Sequence, residues 1–190
     1  GKLIGNTPEE RYLSFSETDH CIEVMDKIFP SMKEQLYTEL GGKCKYISEI
    51  INEFQLEKAK IYHYFAIPED DILLELKNGG DWHNDKCVLI FTFESGKKIV
   101  YKPTRGDNLN FLKGIMAYFF EKEYVEMYDA LSGIKGAWMK FVEHTELRNK
   151  NAIKDFYHNY GKLLFVAYIL GMNDLHYENI IACDKYPVIT

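Results

Sequence analysis

The chain has 190 residues, of which 46% are hydrophobic and 27% are charged, a balance typical of a globular protein with a sizeable core. Its formal net charge of -6 argues against nucleic acid as the main partner, because nucleic-acid-binding surfaces are usually basic. The four cysteines are widely spaced, no apolar run reaches the length of a membrane span and no signal peptide is visible, which favours a cytoplasmic protein.

The first third of the chain has helical patterning, and we assign residues 1–70 to a helical N-terminal segment. A capping signal at Ser16 predicts the start of one helix, which Pro30 is expected to interrupt. Apolar residues at helical spacing predict a second helix over residues 45–65. No chemistry is assigned to this segment.

The spacing of apolar residues then becomes that of strands. The segment DILLEL (residues 71–76) is a predicted strand, and the polar loop KNGGDWHNDK (77–86) connects it to a second strand, CVLIFTF (87–93). The turn ESGK leads into a third strand, KIVYK (98–102), which Pro103 closes. We therefore predict a three-stranded antiparallel meander whose first connection is long enough to fold over a ligand.

Helical spacing returns at residues 108–128, and a further strand is predicted over 136–144. The clearest helix covers residues 149–171, with Gly171 as its natural end. Eight apolar residues of this helix are expected to form one broad stripe. They are Ile153, Phe156, Tyr157, Tyr160, Leu163, Leu164, Ala167 and Leu170.

The polar turn GMNDLHYEN (171–179) follows this helix directly. Asp174 and Asn179 are five residues apart and can point towards one centre, as phosphoryl transfer requires of a hydroxyl-orienting Asp and a Mg²⁺-binding amide. His176, two residues past Asp174, could face the transferred phosphate. A plain polar helix-to-strand turn is the alternative interpretation, since short polar motifs recur by chance.

Two further features could bind phosphate. Lys102 ends an apolar strand, where its ammonium can reach a phosphate, although such a lysine is more often a solvated edge residue. In the loop GGDWHND, two glycines allow a backbone to approach an anion, and Asp81 and His83 are candidate acid–base groups. A plain hairpin loop is the alternative for this segment.

The linear order of these features is that of a kinase-like fold: strand, Gly loop, strand, strand ending in Lys, helix, strand, long helix and D-x-x-x-x-N. Met172 and Asn173 stand where protein kinases have His and Arg, so control through an Arg that reads phosphorylation is not expected. We predict an α+β, protein/lipid-kinase-like fold. Its small antiparallel N-lobe would span 71–145, and 146–190 would begin a truncated helical C-lobe that contains the catalytic loop.

Three motifs taken together, GGDWHND, VYKP and DLHYEN, resemble the dehydratase domain of class II lanthipeptide synthetases, which has a G-D-x-H loop, a V-Y-K-P strand end and a D-x-H-x-E-N motif in this order. The matching segments run from about residue 76 to the end. The resemblance implies phosphorylation of Ser and Thr in a precursor peptide, leader and core, with ATP and Mg²⁺. Elimination of the phosphate would then leave dehydroalanine or dehydrobutyrine.

Carried over position by position, the resemblance implies roles for the motif residues. Lys102 would contact the ATP phosphates, and Asp174 would orient or deprotonate the substrate hydroxyl. His176 would lie near the γ-phosphate, and Asn179 would bind Mg²⁺. The matching of Asp81 and His83 to the G-D-x-H loop implies that they close over the reacting phosphate, in either half-reaction.

Other expectations concern the rest of the site and of the parent protein. An acidic partner for Lys102 is expected among three residues, Glu121, Glu123 and Glu126. A second metal carboxylate and a zinc-dependent cyclase domain are expected beyond Thr190, so this piece should be inactive by itself. Two other functions stay open: a kinase-like phosphotransferase acting on another hydroxyl, and a non-catalytic pseudokinase or peptide-binding module.

Overall fold

The computed structural model describes residues 3–104, 106–173 and 175–189. The chain divides into two compact units, Gly1–Glu49 and Ile50–Thr190. Within the described residues, no helix is long and apolar enough to cross a membrane. The α+β class is confirmed, with helices first and a small antiparallel sheet after them. The predicted boundaries at 70/71 and 145/146 stay predictions.

The first unit contains the helices α1 (Pro8–Ser16) and α2 (Asp19–Ile28) and the beginning of α3 (Met32–Tyr64). The predicted helix start at Ser16 is wrong, because Ser16 ends α1 and its hydroxyl donates to the Leu13 carbonyl at 2.9 Å. Thr7 caps α1 instead, by accepting from the N–H of Glu10 at 3.1 Å. The break at Pro30 is confirmed.

The second unit contains a five-stranded antiparallel sheet with the order β1-β2-β3-β5-β4. The strands are β1 (Leu73–Asn78), β2 (Leu89–Phe93), β3 (Lys98–Lys102), β4 (Ala130–Ser132) and β5 (Ala137–Lys140). The predicted meander of β1 to β3 is therefore confirmed. The strand predicted over 136–144 is shorter than expected, and β4 was not predicted, because three residues carry too little alternation to be recognised.

One face of this sheet packs against the C-terminal half of α3 through aromatic rings. The Phe54 ring centroid lies 5.2 Å from that of Phe91 and 5.9 Å from that of Trp138, and all three side chains are buried. Because side chains alternate along a strand, the residues between the buried ones face the opposite side. That opposite side forms one wall of the cavity described below.

The rest of the second unit is mainly helical and ends in a hairpin. Its elements are α4 (Gly106–Met116), α5 (Lys122–Glu126), α6 (Lys150–Leu170), a short 3₁₀ turn (Tyr177–Asn179), β6 (Ile180–Cys183) and β7 (Tyr186–Ile189). The helix predicted over 108–128 is thus two helices. The predicted α6 is confirmed, with Asn149 accepting from the N–H of Ala152 at 2.9 Å and with Gly171 left-handed, at φ 60°, at its end.

The predicted stripe of α6 is only partly buried. Leu163 and Val166 are buried against a core shared with α5 and β7, and Ala167 is buried as well, whereas Tyr157 is 66% exposed. Ile153 and Leu164 are exposed as well. The helix buries a narrower face than its apolar pattern indicates, because the hairpin covers only one side of it.

Candidate functional site

A cavity of about 690 Å³ lies between the sheet and the β6–β7 hairpin of the second unit. Five of the predicted site residues line it: Asp81, His83, Lys102, His176 and Asn179. The sixth, Asp174, lies outside the described residues. Segments that are far apart in the sequence, the loop after β1, the end of β3 and the turn after α6, therefore meet around one space.

Lys102 reaches this cavity because of its place at the end of β3. Its strand neighbour Tyr101 is buried on the other face of the sheet, so alternation turns Lys102 towards the cavity. Burial lowers the pKa of the Lys102 ammonium. Among the described residues no acidic side chain pairs with it, so an anion bound in the cavity would stabilise its charge.

The expected acidic partner of Lys102 is not found among the three predicted residues. Glu121 instead accepts hydrogen bonds from Lys185, at 2.7 Å, and from the Tyr186 hydroxyl. Glu126 forms an ion pair with Lys122. No contact between Glu123 and Lys102 is found within the described part of the chain. The carboxylate of Glu121 is therefore paired with the hairpin.

The loop between β1 and β2 is closed at its base and tightly turned at its tip. The N–H of Gly79 donates to the Val88 carbonyl at 2.8 Å, and His83 and Lys86 exchange backbone hydrogen bonds. Asn84 and Asp85 between them both have positive φ, at 49° and 59°, as a two-residue hairpin turn of type I′ requires. The loop is therefore a small hairpin that brings its stem residues Asp81 and His83 to the cavity.

The turn after α6 holds His176 and Asn179 together. The His176 ring caps the 3₁₀ turn by accepting from the N–H of Glu178 at 3.3 Å, and the N–H of Asn179 donates to the His176 carbonyl at 3.0 Å. The Asn179 amide nitrogen lies 3.2 Å from Nε2 of His176.

Two charged residues that line the cavity received no role from the sequence. Glu178 lies beside His176, with a carboxylate oxygen 3.7 Å from Nδ1, and accepts from the Tyr177 hydroxyl at 3.1 Å. Its position inside DLHYEN was a signal that could have found it. Lys140, at the end of β5, is a second cation on the cavity, and nothing in the sequence separates it from other surface lysines.

The cavity has a polar side and an apolar side. The apolar side is formed by residues in or next to the strands of the sheet and the hairpin, among them Val88, Ile90, Val100, Met139, Phe141, Val142, Ile181 and Val188. In the part of the chain that the structure describes, no three His, Cys, Asp or Glu residues gather closely enough to hold a metal ion. Mg²⁺ is usually held by one or two carboxylates together with the phosphates of a substrate, so the Asn179 amide oxygen would fit Mg²⁺ only alongside a bound phosphate-bearing ligand.

Comparison with known proteins finds one matching family and a similar curated protein. The family described as a domain of unknown function, DUF4135, matches residues 29–190. A curated protein of Lactococcus lactis subsp. lactis, "Lacticin 481/lactococcin biosynthesis protein LcnDR2", is 30% identical over 202 residues. The alignment covers 98% of this chain and 22% of that protein, so the chain spans about a fifth of the length of the relative it matches.

Proposed function

The chain belongs to the DUF4135 family, its resemblance to class II lanthipeptide synthetases is confirmed, and on this premise we propose that it carries part of a dehydratase site with a kinase-like fold. The site would phosphorylate Ser and Thr of a precursor peptide with ATP and then eliminate the phosphate. The similar Lactococcus protein is named for the biosynthesis of lacticin 481 and lactococcin, which supports peptide modification as the general role.

The observation that carries the proposal is the meeting of Lys102 with both polar motifs at one cavity. A partly buried ammonium that pairs with no acid among the described residues favours an anionic ligand. The volume of about 690 Å³ is in the range of small-molecule sites, and the apolar side offers a surface for a nucleobase. Together these features fit a nucleoside triphosphate.

The first step would be phosphoryl transfer. The hydroxyl oxygen of Ser or Thr attacks the γ-phosphorus, the bond to the bridging oxygen of ADP breaks, and the hydroxyl proton passes to Asp174. Lys102 would stabilise the negative charge of the phosphates, and His176 would face the transferred group. Mg²⁺, held by Asn179 together with the phosphates, would supply further charge neutralisation.

The second step would be elimination. A base removes the α-proton of the phosphorylated residue, the electron pair forms the Cα–Cβ double bond, and phosphate leaves from Cβ. Asp81 and His83 would hold the phosphate from the loop side of the cavity while this happens. The proposal includes a precursor peptide as partner, the cytoplasm as location, and a cyclase domain in the parent protein.

Mass spectrometry of the natural gene product that contains this sequence, incubated with ATP, Mg²⁺ and its precursor peptide, tests the proposal. We expect the peptide to lose one water for each modified residue. Lys102→Ala should abolish this loss. Lys98→Ala is the matched control, because Lys98 lies at the other end of β3, pairs with Glu143 at 3.7 Å and does not line the cavity.

The other outcomes separate the alternatives. A stable phosphopeptide without loss of water would favour a kinase acting on a hydroxyl and contradict the dehydratase. A peptide that stays unmodified would favour a non-catalytic binding module. Equal losses of activity in Lys98→Ala and Lys102→Ala would mean that the strand, rather than the cavity lysine, is responsible.

A further inference from the structure

The outer edge of β7 has no neighbouring strand among the described residues, because β6 and β7 form a sheet of two. Pro187 and Ile189 are paired in register with Ala182 and Ile180 of β6. Alternate residues of a strand direct their backbone groups to the same edge. The carbonyl of Pro187 and the N–H of Ile189 therefore point away from β6, into the protein, where unpaired groups would be costly.

Two tyrosine hydroxyls take the place of the missing strand. The N–H of Ile189 donates to the Tyr128 hydroxyl at 3.1 Å, and the Tyr124 hydroxyl donates to the Pro187 carbonyl. The two hydroxyl oxygens are 3.0 Å apart. Since Tyr124 has given its only proton to Pro187, Tyr128 must be the donor between them. We call this closed chain of hydrogen bonds, formed by Tyr124 and Tyr128, the tyrosine clasp.

The clasp is shielded from water and keeps its protons. Tyr124 is 0% and Tyr128 is 1% exposed, and burial raises the pKa of both hydroxyls, so they stay protonated at physiological pH. The Tyr124 ring also stacks on that of Tyr186, with centroids 4.8 Å apart. Each hydroxyl donates one hydrogen bond and accepts one, which leaves neither end of the chain unpaired.

The clasp bears on the site because the hairpin that it holds is a wall of the cavity. Ile181, Val188 and Ile189 line the cavity, and β6 begins at the residue after Asn179. A shift of the hairpin would therefore move Asn179 and its hydrogen-bonded neighbour His176 relative to Lys102 on the opposite wall. Small displacements of this kind slow reactions that depend on orientation.

We propose that Tyr124 and Tyr128 are positioning residues, whose hydroxyls set where the hairpin places Asn179 and His176 in the cavity. This inference rests on the proposed phosphoryl transfer. Replacement of either tyrosine by Phe keeps the packing of the aromatic ring and removes only the hydroxyl. Tyr128→Phe leaves the N–H of Ile189 unpaired, and Tyr124→Phe leaves both the Pro187 carbonyl and the Tyr128 proton unpaired.

The test uses the natural gene product with its precursor peptide and two readouts. Hydrogen exchange of the Ile189 amide reports on the clasp, and kcat and KM for ATP report on the site. In Tyr128→Phe we expect exchange about 10-fold faster or more and kcat lower by about 10- to 100-fold, with KM for ATP changed less than about threefold. The apolar side of the cavity on the sheet, which would bind the nucleobase, is untouched.

Two further variants keep the test decisive. The double variant Tyr124→Phe/Tyr128→Phe should lower kcat by less than the product of the two single fold-changes. The reason is that the Tyr128 proton, which is unpaired in Tyr124→Phe alone, is absent from the double variant. Tyr157→Phe is the control, since Tyr157 is 66% exposed on α6, and it should behave as wild type. Circular dichroism of each variant checks that the measured kcat belongs to folded protein.

Several results would overturn the inference. Unchanged exchange at Ile189 in both single variants would mean that the clasp does not hold β7. Faster exchange with unchanged kcat would reduce the hydroxyls to a purely structural role. A fall of kcat in Tyr157→Phe as large as in Tyr128→Phe would show that the effect on kcat is not specific to the tyrosine clasp. Wild-type protein that neither phosphorylates nor dehydrates the peptide would overturn the proposed function itself, and the positioning role with it.

Discussion

The two walls of the cavity are held in different ways. On the sheet wall, β2 and β3 each have a strand on both sides, and aromatic rings pack behind them. On the hairpin wall, β7 has a strand on one side only among the described residues, and its other edge depends on two side-chain hydroxyls. The sheet wall is therefore stabilised by many repeated interactions, and the hairpin wall by a few specific ones.

The largest effect is expected behind the sheet wall. Phe54→Ala removes a ring that is 1% exposed and contacts Phe91, Phe93 and Trp138. We expect the free energy of unfolding to fall by about 3–5 kcal/mol, as measured by urea denaturation. Leu56→Ala, two residues along the same helix and 79% exposed, is the control and should change it by less than about 0.5 kcal/mol. Comparable losses in the two variants would contradict the assignment of the core.

The turn between β4 and β5 tests how closely the sheet wall is packed. A methyl group at Gly136 would collide with the backbone carbonyl of Lys102 and lie 2.6 Å from the hydroxyl of Tyr101. Gly136→Ala should therefore destabilise the protein by about 1–3 kcal/mol, as measured by thermal unfolding. Gly161→Ala on α6 meets nothing within 4 Å and should instead stabilise it by about 0.5–1 kcal/mol. A stabilising Gly136→Ala would show that this turn has room to move.

A buried amide forms a hydrogen bond between α6 and the hairpin wall, in addition to their apolar packing. Asn159 is 8% exposed, and its Nδ2 donates to the carbonyl of Lys185, in the turn of the hairpin, at 2.9 Å. Asn159→Ala leaves that carbonyl without this partner and should cost about 1–2 kcal/mol in the free energy of unfolding. Asn151→Ala, an exposed change in the first turn of the same helix, is the control. If both variants unfold alike, the hairpin does not depend on this bond.

The smallest effect concerns the far end of the sheet. The hydroxyl and the N–H of Ser95 donate to Asp71 and hold the pKa of its carboxyl below the usual value. Such a carboxyl stabilises the fold above its unfolded pKa of about 3.9 and loses that contribution as the pH falls through the lower, folded pKa. Unfolding measured below pH 4 should therefore depend less on pH in Asp71→Asn than in wild type. The exposed neighbour Asp70 provides the control, and an Asp70→Asn variant with the same loss would refute the explanation.

The sheet wall could be predicted from the sequence because its determinants are local. The apolar, β-forming segments CVLIFTF and KIVYK predicted β2 and β3, and the structure shows that Lys102 lies on the face opposite Tyr101. Gly171 ended α6 as predicted, because a left-handed residue is a local requirement. The three motifs predicted which residues meet, and the cavity brings together those that the structure describes.

The remainder depended on contacts between residues that are distant in the chain. Nothing near Tyr124 indicates that its hydroxyl meets the carbonyl of Pro187, 63 residues away. Glu121 was a candidate partner for Lys102, but Lys185 and Tyr186 compete for it from the hairpin. The apolar pattern of α6 overestimated burial, since an apolar residue is buried only where another element covers it.

Pro187 has no backbone N–H, and this matters for the hydrogen bonds that Tyr124 and Tyr128 make with the hairpin. Any other residue at this position would direct its own N–H towards the two tyrosines, alongside its carbonyl. Both hydroxyl protons are already donated, and each hydroxyl oxygen already accepts one hydrogen bond. A substitution of Pro187 would thus add a backbone N–H that has to share these two oxygens with the existing donors. The identity of residue 187 and the two hydroxyls are therefore interdependent.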